Sequence, residues 1–308
     1  MANTVNYATQ FEKQLRQKYK RECLSDDLTT EKVKFVNAKT VKIPYITLGG
    51  FKDHGRDGGF NRQNAKNDFM TYTLQHDRDV EYFIDTEDVD ESNLALSAAN
   101  ITNTFEEEHA IPERDCYNFS KIYSEYKTRL TGTVDNTALT TKNILTQYDS
   151  YMKQMDEDEV PEEGRLLYVT PTVNDLIKNA EDVQKIFSIN APGNGFMRAV
   201  RSLDDVKIRK VPSVRMKTAY NYTDGCTPGV SAKQINMILV HPKSVISCDK
   251  HAYIKLWAPG THTQGDGYLY QLRKYWDLFL IDTRVQGVKI NAEAESTEPE
   301  DDEEGGGV

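Results

Sequence analysis

Six histidines (His54, His76, His109, His241, His251, His262) and four cysteines (Cys23, Cys116, Cys226, Cys248) are the side chains of this chain best suited to base, metal-ligand or nucleophile duty. Their spacing does not organise them. No HExxH or HxxxH pair falls on a predicted helix, and no CxxC pair occurs, so the histidines read as surface or packing residues and the cysteines as reduced, packed thiols. There is no GxSxG elbow and no Walker loop, and Gly193-Asn194-Gly195 has Arg198 where a dinucleotide fingerprint needs its third glycine. The acidic run Asp85–Glu91 fails as a calcium loop. Counted from Asp88, the required glycine is Asn93 and the closing glutamate is Ala99. Asp88 or Asp90 as a helix N-cap is the simpler role for these carboxylates. His76 beside Asp77 is the pair an unrecognised metal-dependent hydrolase would have to use. No catalytic residue, cofactor or metal is expected.

Charge narrows the partners. The chain of 308 residues has a net charge of −10, and eight acidic residues (Glu293, Glu295, Glu298, Glu300, Asp301, Asp302, Glu303, Glu304) stand in its last stretch, 292–308. Without them 38 basic residues face 40 acidic ones, so the body is near neutral. It has no basic stripe with which to grip phosphate specifically. The tail is too charged and too poor in apolar residues to fold, and reads as a solubilising appendage. The N-terminus is dominated by charged and amide residues rather than a signal-peptide pattern, and no apolar run approaches the roughly 20 residues needed to span a bilayer. A soluble protein made in a cytosol is expected.

The elements come next. Val41–Leu48 and Phe69–Leu74 alternate apolar and polar residues as half-buried strands do, and between them Gly49–Asp68 carries five glycines and seven charged residues but only two large apolar ones, Phe51 and Phe60. A stretch so long and so poor in core residues has to be functional or disordered. Upstream, Tyr7, Phe11, Leu15 and Tyr19 fall at i+4 spacing and give an N-terminal helix one apolar stripe. Downstream, Val80–Ile84 reads as a strand. Leu94, Ala98, Ile101, Phe105 and His109, then Cys116, Phe119, Ile122 and Tyr126, mark a helix of about 35 residues, or about 50 Å, kinked or broken at Pro112. Leu139–Met155 reads as a helix, Arg165–Thr170 as a buried strand closed by Pro171, and Thr172–Lys178 as a further helix. A turn and strand at 204–212, strands at 235–240, 253–257 and 269–281, and a returning segment at 285–290 complete a mixed α+β chain.

The order of N-terminal helix, glycine-rich hairpin arm, acidic cap and long helix resembles the major capsid protein of tailed bacteriophages with the Hong Kong 97-type fold. So does the wording of Phe35–Pro44, His54–Phe60, Asp77-Arg78-Asp79, Asp88–Glu91 and Ile111-Pro112-Glu113 leading to Tyr117 and Ser120-Lys121, which is similar to capsid proteins of phages infecting Gram-positive bacteria. The resemblance runs from about Tyr7 to about Ile290.

It implies an N-terminal arm at 1–40, an extended hairpin arm or E-loop at 41–84, a peripheral domain with its spine helix at 85–130 and 246–280, an axial domain at 131–245 and 281–291, and a disordered tail at 292–308. It implies self-assembly into pentamers and hexamers of an icosahedral shell in the virion, assembled in the host cytoplasm. A separate scaffolding protein, a portal and non-specifically packaged double-stranded DNA are the further partners implied, and no membrane. On the arm, Lys52, Asp53, Arg56, Asp57 and Arg62 become candidate intersubunit ion-pair residues and Phe51 and Phe60 apolar anchors. Tyr7, Phe11, Leu15 and Tyr19 become the N-terminal arm's contacts. Lys52 and Lys66 are placed for the lysine–asparagine cross-link that some relatives make, with no partner asparagine identifiable. Two readings stand beside the phage shell: an encapsulin-type nanocompartment of the same fold, and a non-enzymatic adaptor that uses the arm to bind one partner.

Overall fold

The computed structural model describes residues 22–28, 39–54, 61–87, 98–130, 134–181, 183 and 200–294. In chain order its elements are β1 (Thr40–Thr47), β2 (Lys66–Thr73), β3 (His76–Asp85), α1 (Ala98–Phe105), α2 (Ile111–Arg129), α3 (Ile144–Glu157), β4 (Leu166–Val169) and α4 (Pro171–Asn179). They continue with β5 (Ser202–Leu203), β6 (Val206–Lys210), β7 (Tyr220–Asn221), β8 (Thr227–Pro228), β9 (Ile235–Val240), β10 (Val245–Trp257), β11 (Gly267–Leu280) and β12 (Val288–Ala292). The chain divides into two compact units. One holds Met1–Leu15, Thr29–Ile101 and Ser247–Phe279; the other holds Arg16–Leu28, Thr102–Ile246 and Leu280–Val308.

In the first unit β1 pairs antiparallel with β2 alone, from Thr40 opposite Thr73 out to Thr47 opposite Lys66. Because a two-stranded ribbon is all edge, Pro44 costs it no ladder that a third strand would need. The hairpin is welded at its root. Val41, Tyr72 and Leu74 pack with Cys248, Tyr275 and Phe279, and the rings of Tyr72 and Phe279 lie 5.2 Å apart. Two polar ties lock the join: Tyr275 Oη donates to the Leu74 carbonyl at 3.0 Å, and the Gln75 amide donates to Asp277 Oδ2 at 2.8 Å. The remaining strands form a sheet in the order β10-β11-β3. Its β11 opens on a glycine for a steric reason: a Cβ at Gly267 would run into the Ile84 carbonyl and sit 2.8 Å from the Phe83 ring.

The second unit is built on a five-stranded sheet, β12-β9-β4-β6-β5, in which β4 runs parallel to β6 and antiparallel to β9. Alternation along β4 assigns its faces. Leu167 and Val169 join the core formed with Ile144, Tyr148, Tyr151 and Met155 of α3 and with Val173 and Ile177 of α4. Tyr168 points the other way, edge-on to Phe119 of α2 at 5.0 Å. The unit is thus three layers, helices over sheet over helix. Thr170 turns strand into helix: its side chain caps the Val173 amide at 3.4 Å, and Pro171 fills the first helical turn, where a missing N–H costs nothing. Asp204 and Asp205 turn β5 into β6 with φ of 45° and 62°, the left-handed conformations a tight hairpin requires.

Two elements differ from expectation. The long helix is not broken at Pro112. α1 runs into α2 through a π-helical turn at Glu106–Ala110, in which the Ile111 amide donates to the Glu106 carbonyl. Proline has no N–H for the preceding turn and its ring crowds that turn, and a widened turn relieves both without ending the helix. Helix α3 begins at Ile144 rather than Leu139, because Asn143 folds the approach into a turn, accepting from the Thr140 amide at 2.7 Å and donating to the Ala138 carbonyl at 2.8 Å. The expected N-terminal helix, its stripe of Tyr7, Phe11, Leu15 and Tyr19, and the Asp88 or Asp90 cap lie outside the described residues.

Candidate assembly surface

Beyond its welded root the hairpin carries large apolar side chains exposed to solvent. Ile46, Leu48 and Phe69 are 67%, 70% and 52% exposed, and Phe51 is fully exposed. The side chains nearest the tip satisfy themselves locally: Gln63 Nε2 donates to the Gly50 carbonyl at 2.6 Å, Asn61 Nδ2 to the Asp53 carbonyl at 2.9 Å, and Tyr45 Oη to Asp68 Oδ2 at 3.3 Å. An isolated two-stranded ribbon is marginal in water, and apolar residues gathered on one such ribbon mark an interaction surface.

The three-stranded sheet of the same unit presents a second exposed surface. On one face Arg273 forks onto Asp77 at 2.9 and 2.5 Å, and Gln271 donates to Glu81 at 2.6 Å while accepting from Trp257 Nε1 at 3.1 Å. Lys255 Nζ lies 3.4 Å from the centroid of the Trp257 ring. The hydrogen bond from Arg273 holds the Asp77 carboxyl below the ordinary carboxylate range, against a weaker upward push from burial. A cleft of about 520 Å³ opens among Asp79, Glu81, His251, Tyr253 and Arg273. Edge strand β10 carries Tyr253, Ile254 and Leu256 exposed, with Lys250 and Lys255 interspersed, the charges by which an edge resists indiscriminate pairing. His76 and Asp77 do not converge. Adjacent strand residues face opposite ways, so His76 is buried edge-on against Trp276 at 4.4 Å while Asp77 belongs to Arg273. Among the described residues, no three histidine, cysteine or acidic side chains form a metal-binding group, and no helix is long and apolar enough to cross a membrane.

In the second unit the chain entering from the N-terminus is pinned by one carboxylate. Asp115, on α2 and fully buried, accepts from the Leu24 amide at 3.0 Å, the Ser25 amide at 2.9 Å, Ser25 Oγ at 2.8 Å and Arg215 Nη1 at 2.8 Å. Asn118 adds a bond to Ser25 Oγ at 2.8 Å, Arg209 forks onto Asp27 at 2.9 and 3.2 Å, and Leu28 closes the segment as a buried plug. Residues 23–28 are therefore the fixed root from which the preceding chain departs.

No protein-family model and no curated protein sequence matches the chain. Solved structures do. The mature capsid of bacteriophage PhiM1 superposes with a TM-score of 0.71 at 13% identity, covering 94% of this chain and 93% of that one. The capsid of cyanophage P-SCSP1u gives 0.64 at 14% identity, with 94% and 93% covered. The capsid of Myoviridae phage XM1 gives 0.56 at 10% identity, with 92% and 95% covered. The chain has the Hong Kong 97-type capsid fold.

On that capsid fold the residues singled out from sequence fall as follows. Phe51, Lys52, Asp53 and Arg62 are exposed on the hairpin beyond the ends of β1 and β2. Arg56, Asp57 and Phe60 lie outside the described residues. Lys66 is the first residue of β2, so the second strand starts three residues before the alternating stretch that announced it. Sequence reasoning passed over the buried polar groups Asp115, Arg215 and Arg165 of this capsid fold and the half-buried Asp135. Asp135 ties the start of its segment to β12 and α3, accepting from the Thr137 amide at 2.9 Å, Tyr151 Oη at 2.5 Å, Asn291 Nδ2 at 3.2 Å and Gln147 Nε2. Arg165, 1% exposed, donates to the Val160 carbonyl at 2.6 Å, the Pro161 carbonyl at 3.0 Å and Asp156 at 2.7 Å. One signal was available. Asp115 stands four residues before Phe119, in the same helical stripe as Ile122 and Tyr126, and a carboxylate in an apolar stripe needs a buried partner.

Proposed function

We propose that the chain is the major capsid protein of a tailed phage, assembling with copies of itself into the pentamers and hexamers of an icosahedral head around double-stranded DNA. The observation that carries the reading is the end-to-end likeness to the phage PhiM1 mature capsid, spanning 94% of one chain and 93% of the other. The exposed apolar hairpin fits it, since burial of that surface then falls to another copy of the chain. In this reading 41–84 is the E-loop, 85–130 with 246–280 the peripheral domain, 131–245 with 281–291 the axial domain, and 1–40 the N-terminal arm.

The function is physical rather than chemical. Phe51 and Phe60 supply apolar anchors, and Lys52, Asp53, Arg56, Asp57 and Arg62 form ion pairs with neighbours. Exposed pairs contribute only about 0–1 kcal/mol each, so repetition over a closed symmetric shell supplies the strength. Lys52 and Lys66 remain the lysines placed for a covalent cross-link. A near-neutral body, 38 basic against 40 acidic residues once the tail is set aside, encloses DNA without gripping it. Scaffolding and portal functions belong to separate proteins.

Sedimentation and electron microscopy of the expressed protein, alone and with the products of neighbouring genes, test the reading. Capsomers or closed shells are expected. A stable monomer or dimer under every condition points instead to a single-partner adaptor, and shells loaded with a cargo enzyme point to a nanocompartment.

A further inference from the structure

Two short helical turns of the second unit are clamped side by side. Pro242–Ser244 leads from β9 to β10, and Asp282–Gly287 leads from β11 to β12. Three rungs join them: the His241 amide donates to the Gly287 carbonyl at 2.8 Å, the Ile281 amide to the Ser244 carbonyl at 3.0 Å, and Arg284 Nη1 to the Lys243 carbonyl at 3.0 Å. Gly287 permits the close fit, because a Cβ there would run into Ser244 Oγ. The buried His241 fixes the first turn, its Nδ1 accepting from the Lys243 amide at 3.1 Å. Only a neutral ring offers that acceptor. Burial lowers the pKa of His241 and so favours the neutral ring, against a pull from the Glu163 carbonyl and with the charges of Lys243, Arg165 and Arg284 adding to the lowering.

With the chain that leaves α3 at 159–161, these turns line a cavity of about 370 Å³, a volume within the range of about 300–1,000 Å³ usual for small-molecule sites. Lys243 and Arg284 stand exposed on its wall, with the side chains of Ser244 and Thr283 beside them. The neighbouring acids are already engaged elsewhere. Asp156 takes Arg165 at 2.7 Å, Asp158 takes Lys289 at 3.3 Å, and Asp282 takes Arg129. Glu159, in a turn with φ of 56°, is the carboxylate that lines the cavity, and it pairs with neither cation. Among the described residues Lys243 and Arg284 have no carboxylate partner. The cavity therefore sets two uncompensated positive side chains against one negative.

We propose that this cavity is a binding site for a small phosphate dianion, inorganic phosphate or a compact phosphomonoester, one to each chain. Two cations answer the charge of about −1.5 to −2 that a phosphate monoester carries at pH 7. The Arg284 guanidinium, already oriented by its bond to the Lys243 carbonyl, has further nitrogens with which to fork onto two phosphate oxygens, and Lys243 meets the group as a point charge. The hydroxyls of Ser244 and Thr283 supply neutral donors. Glu159 weakens the attraction for every anion, and a dianion, with twice the charge facing the two cations, retains the most of it. His241 acts as a positioning residue, holding the turn that carries Lys243. A bound phosphate would tie both turns to the chain at 159–161 and so stabilise the folded unit. The site and its test stand apart from the shell reading.

The test titrates the purified full-length chain with inorganic phosphate, against sodium chloride at matched ionic strength, and follows the melting temperature together with the phosphorus NMR line width of the added phosphate. A saturable rise in melting temperature is expected in phosphate alone, with one phosphate bound per chain. Arg284→Gln and Lys243→Gln should each weaken binding about tenfold, as loss of a charge-assisted hydrogen bond does. Glu159→Gln should tighten it severalfold. All three positions are exposed, so the variants should melt with the wild type in chloride. Equal responses to phosphate and chloride, binding that does not saturate, or unchanged affinity in both cation variants would each overturn the proposal. Displacement of the phosphate by a single-stranded DNA oligonucleotide would overturn it too, by assigning the two cations to a nucleic-acid backbone. The wild-type comparison of phosphate with chloride decides the matter even where a variant fails to fold.

Discussion

Asp115 shows how much one side chain can position. The Leu24 and Ser25 amides, the Ser25 hydroxyl, the Cys23 thiol and the Arg215 guanidinium all donate to a carboxylate with no solvent exposure, and its partner Arg215 is itself buried. Truncation would leave a buried cation unpaired, a change that costs about 3–5 kcal/mol. Asp115→Ala should therefore lower the denaturant midpoint sharply and open residues 23–28 to proteases, both measurable on the unassembled subunit. Asp135 responds to acid. Burial pushes its carboxyl upward, but the bonds from Thr137, Tyr151 and Asn291 outweigh burial and hold it below the ordinary value. A carboxylate lowered in the folded state stabilises in full above its unfolded value of about 4 and loses that contribution as pH falls through the lower folded value. Asp135→Asn should flatten the acid limb of a stability–pH curve. Asp115 left one signal, a carboxylate in an apolar stripe, but neither it nor Asp135 could be matched to its partners from sequence, because Arg215 and Asn291 lie far along the chain and polar residues carry no periodic signal of their own.

At the scale of elements legibility depended on local pattern. β1 announced itself by alternation, β4 by the unbroken apolar run Leu166–Val169 and β9 by the apolar run that follows Asn236. Pro112 announced a disturbance, but the sequence does not specify whether a helix answers by breaking or by widening one turn; here it widens, at Glu106–Ala110. The hairpin was legible as an anomaly, a long insertion without core residues, and the structure gives the anomaly a form: a root locked by Tyr72, Phe279 and Asp277, and a ribbon whose apolar residues face solvent. Root and ribbon should respond differently to mutation. Phe279→Ala empties part of a buried cluster and should cost about 3–5 kcal/mol of subunit stability. Phe51→Ala removes a fully exposed side chain and should change stability by no more than about 0.5 kcal/mol, while lowering the yield of the proposed shells. Arg56→Ala and Phe60→Ala carry the same expectation. Thermal melts of the subunit and sedimentation of the assembly separate the two outcomes, and undiminished shell yield in all three arm variants would remove the arm from the account of assembly.

The whole molecule is governed by where its charge sits. In the shell proposed above, a net −10 on every copy would oppose closure if it were spread evenly, yet eight of the acidic side chains fall in 292–308 and the body keeps almost none of the excess. β12 ends at Ala292, and Glu293 still belongs to the fold, its amide donating to the Gln234 carbonyl at 2.9 Å and its carboxylate accepting from the Gln234 amide at 3.1 Å. A truncation that respects the fold therefore ends after Ala294. It removes seven acidic residues and takes the net charge from −10 to −3. Repulsion between exposed charges is screened beyond about 8 Å at physiological ionic strength and reaches much further in dilute buffer, so the full chain should assemble with a clear dependence on salt. The truncated chain keeps every described residue of the second unit's sheet through Ala294 and should melt at the temperature of the full chain. Its assembly should begin at lower salt and vary less with ionic strength, because most of the like charge between copies is gone. Light scattering across a salt series, run on both proteins at equal concentration, measures this directly. Parallel salt curves would mean that the body, and not the tail, sets the electrostatics of association.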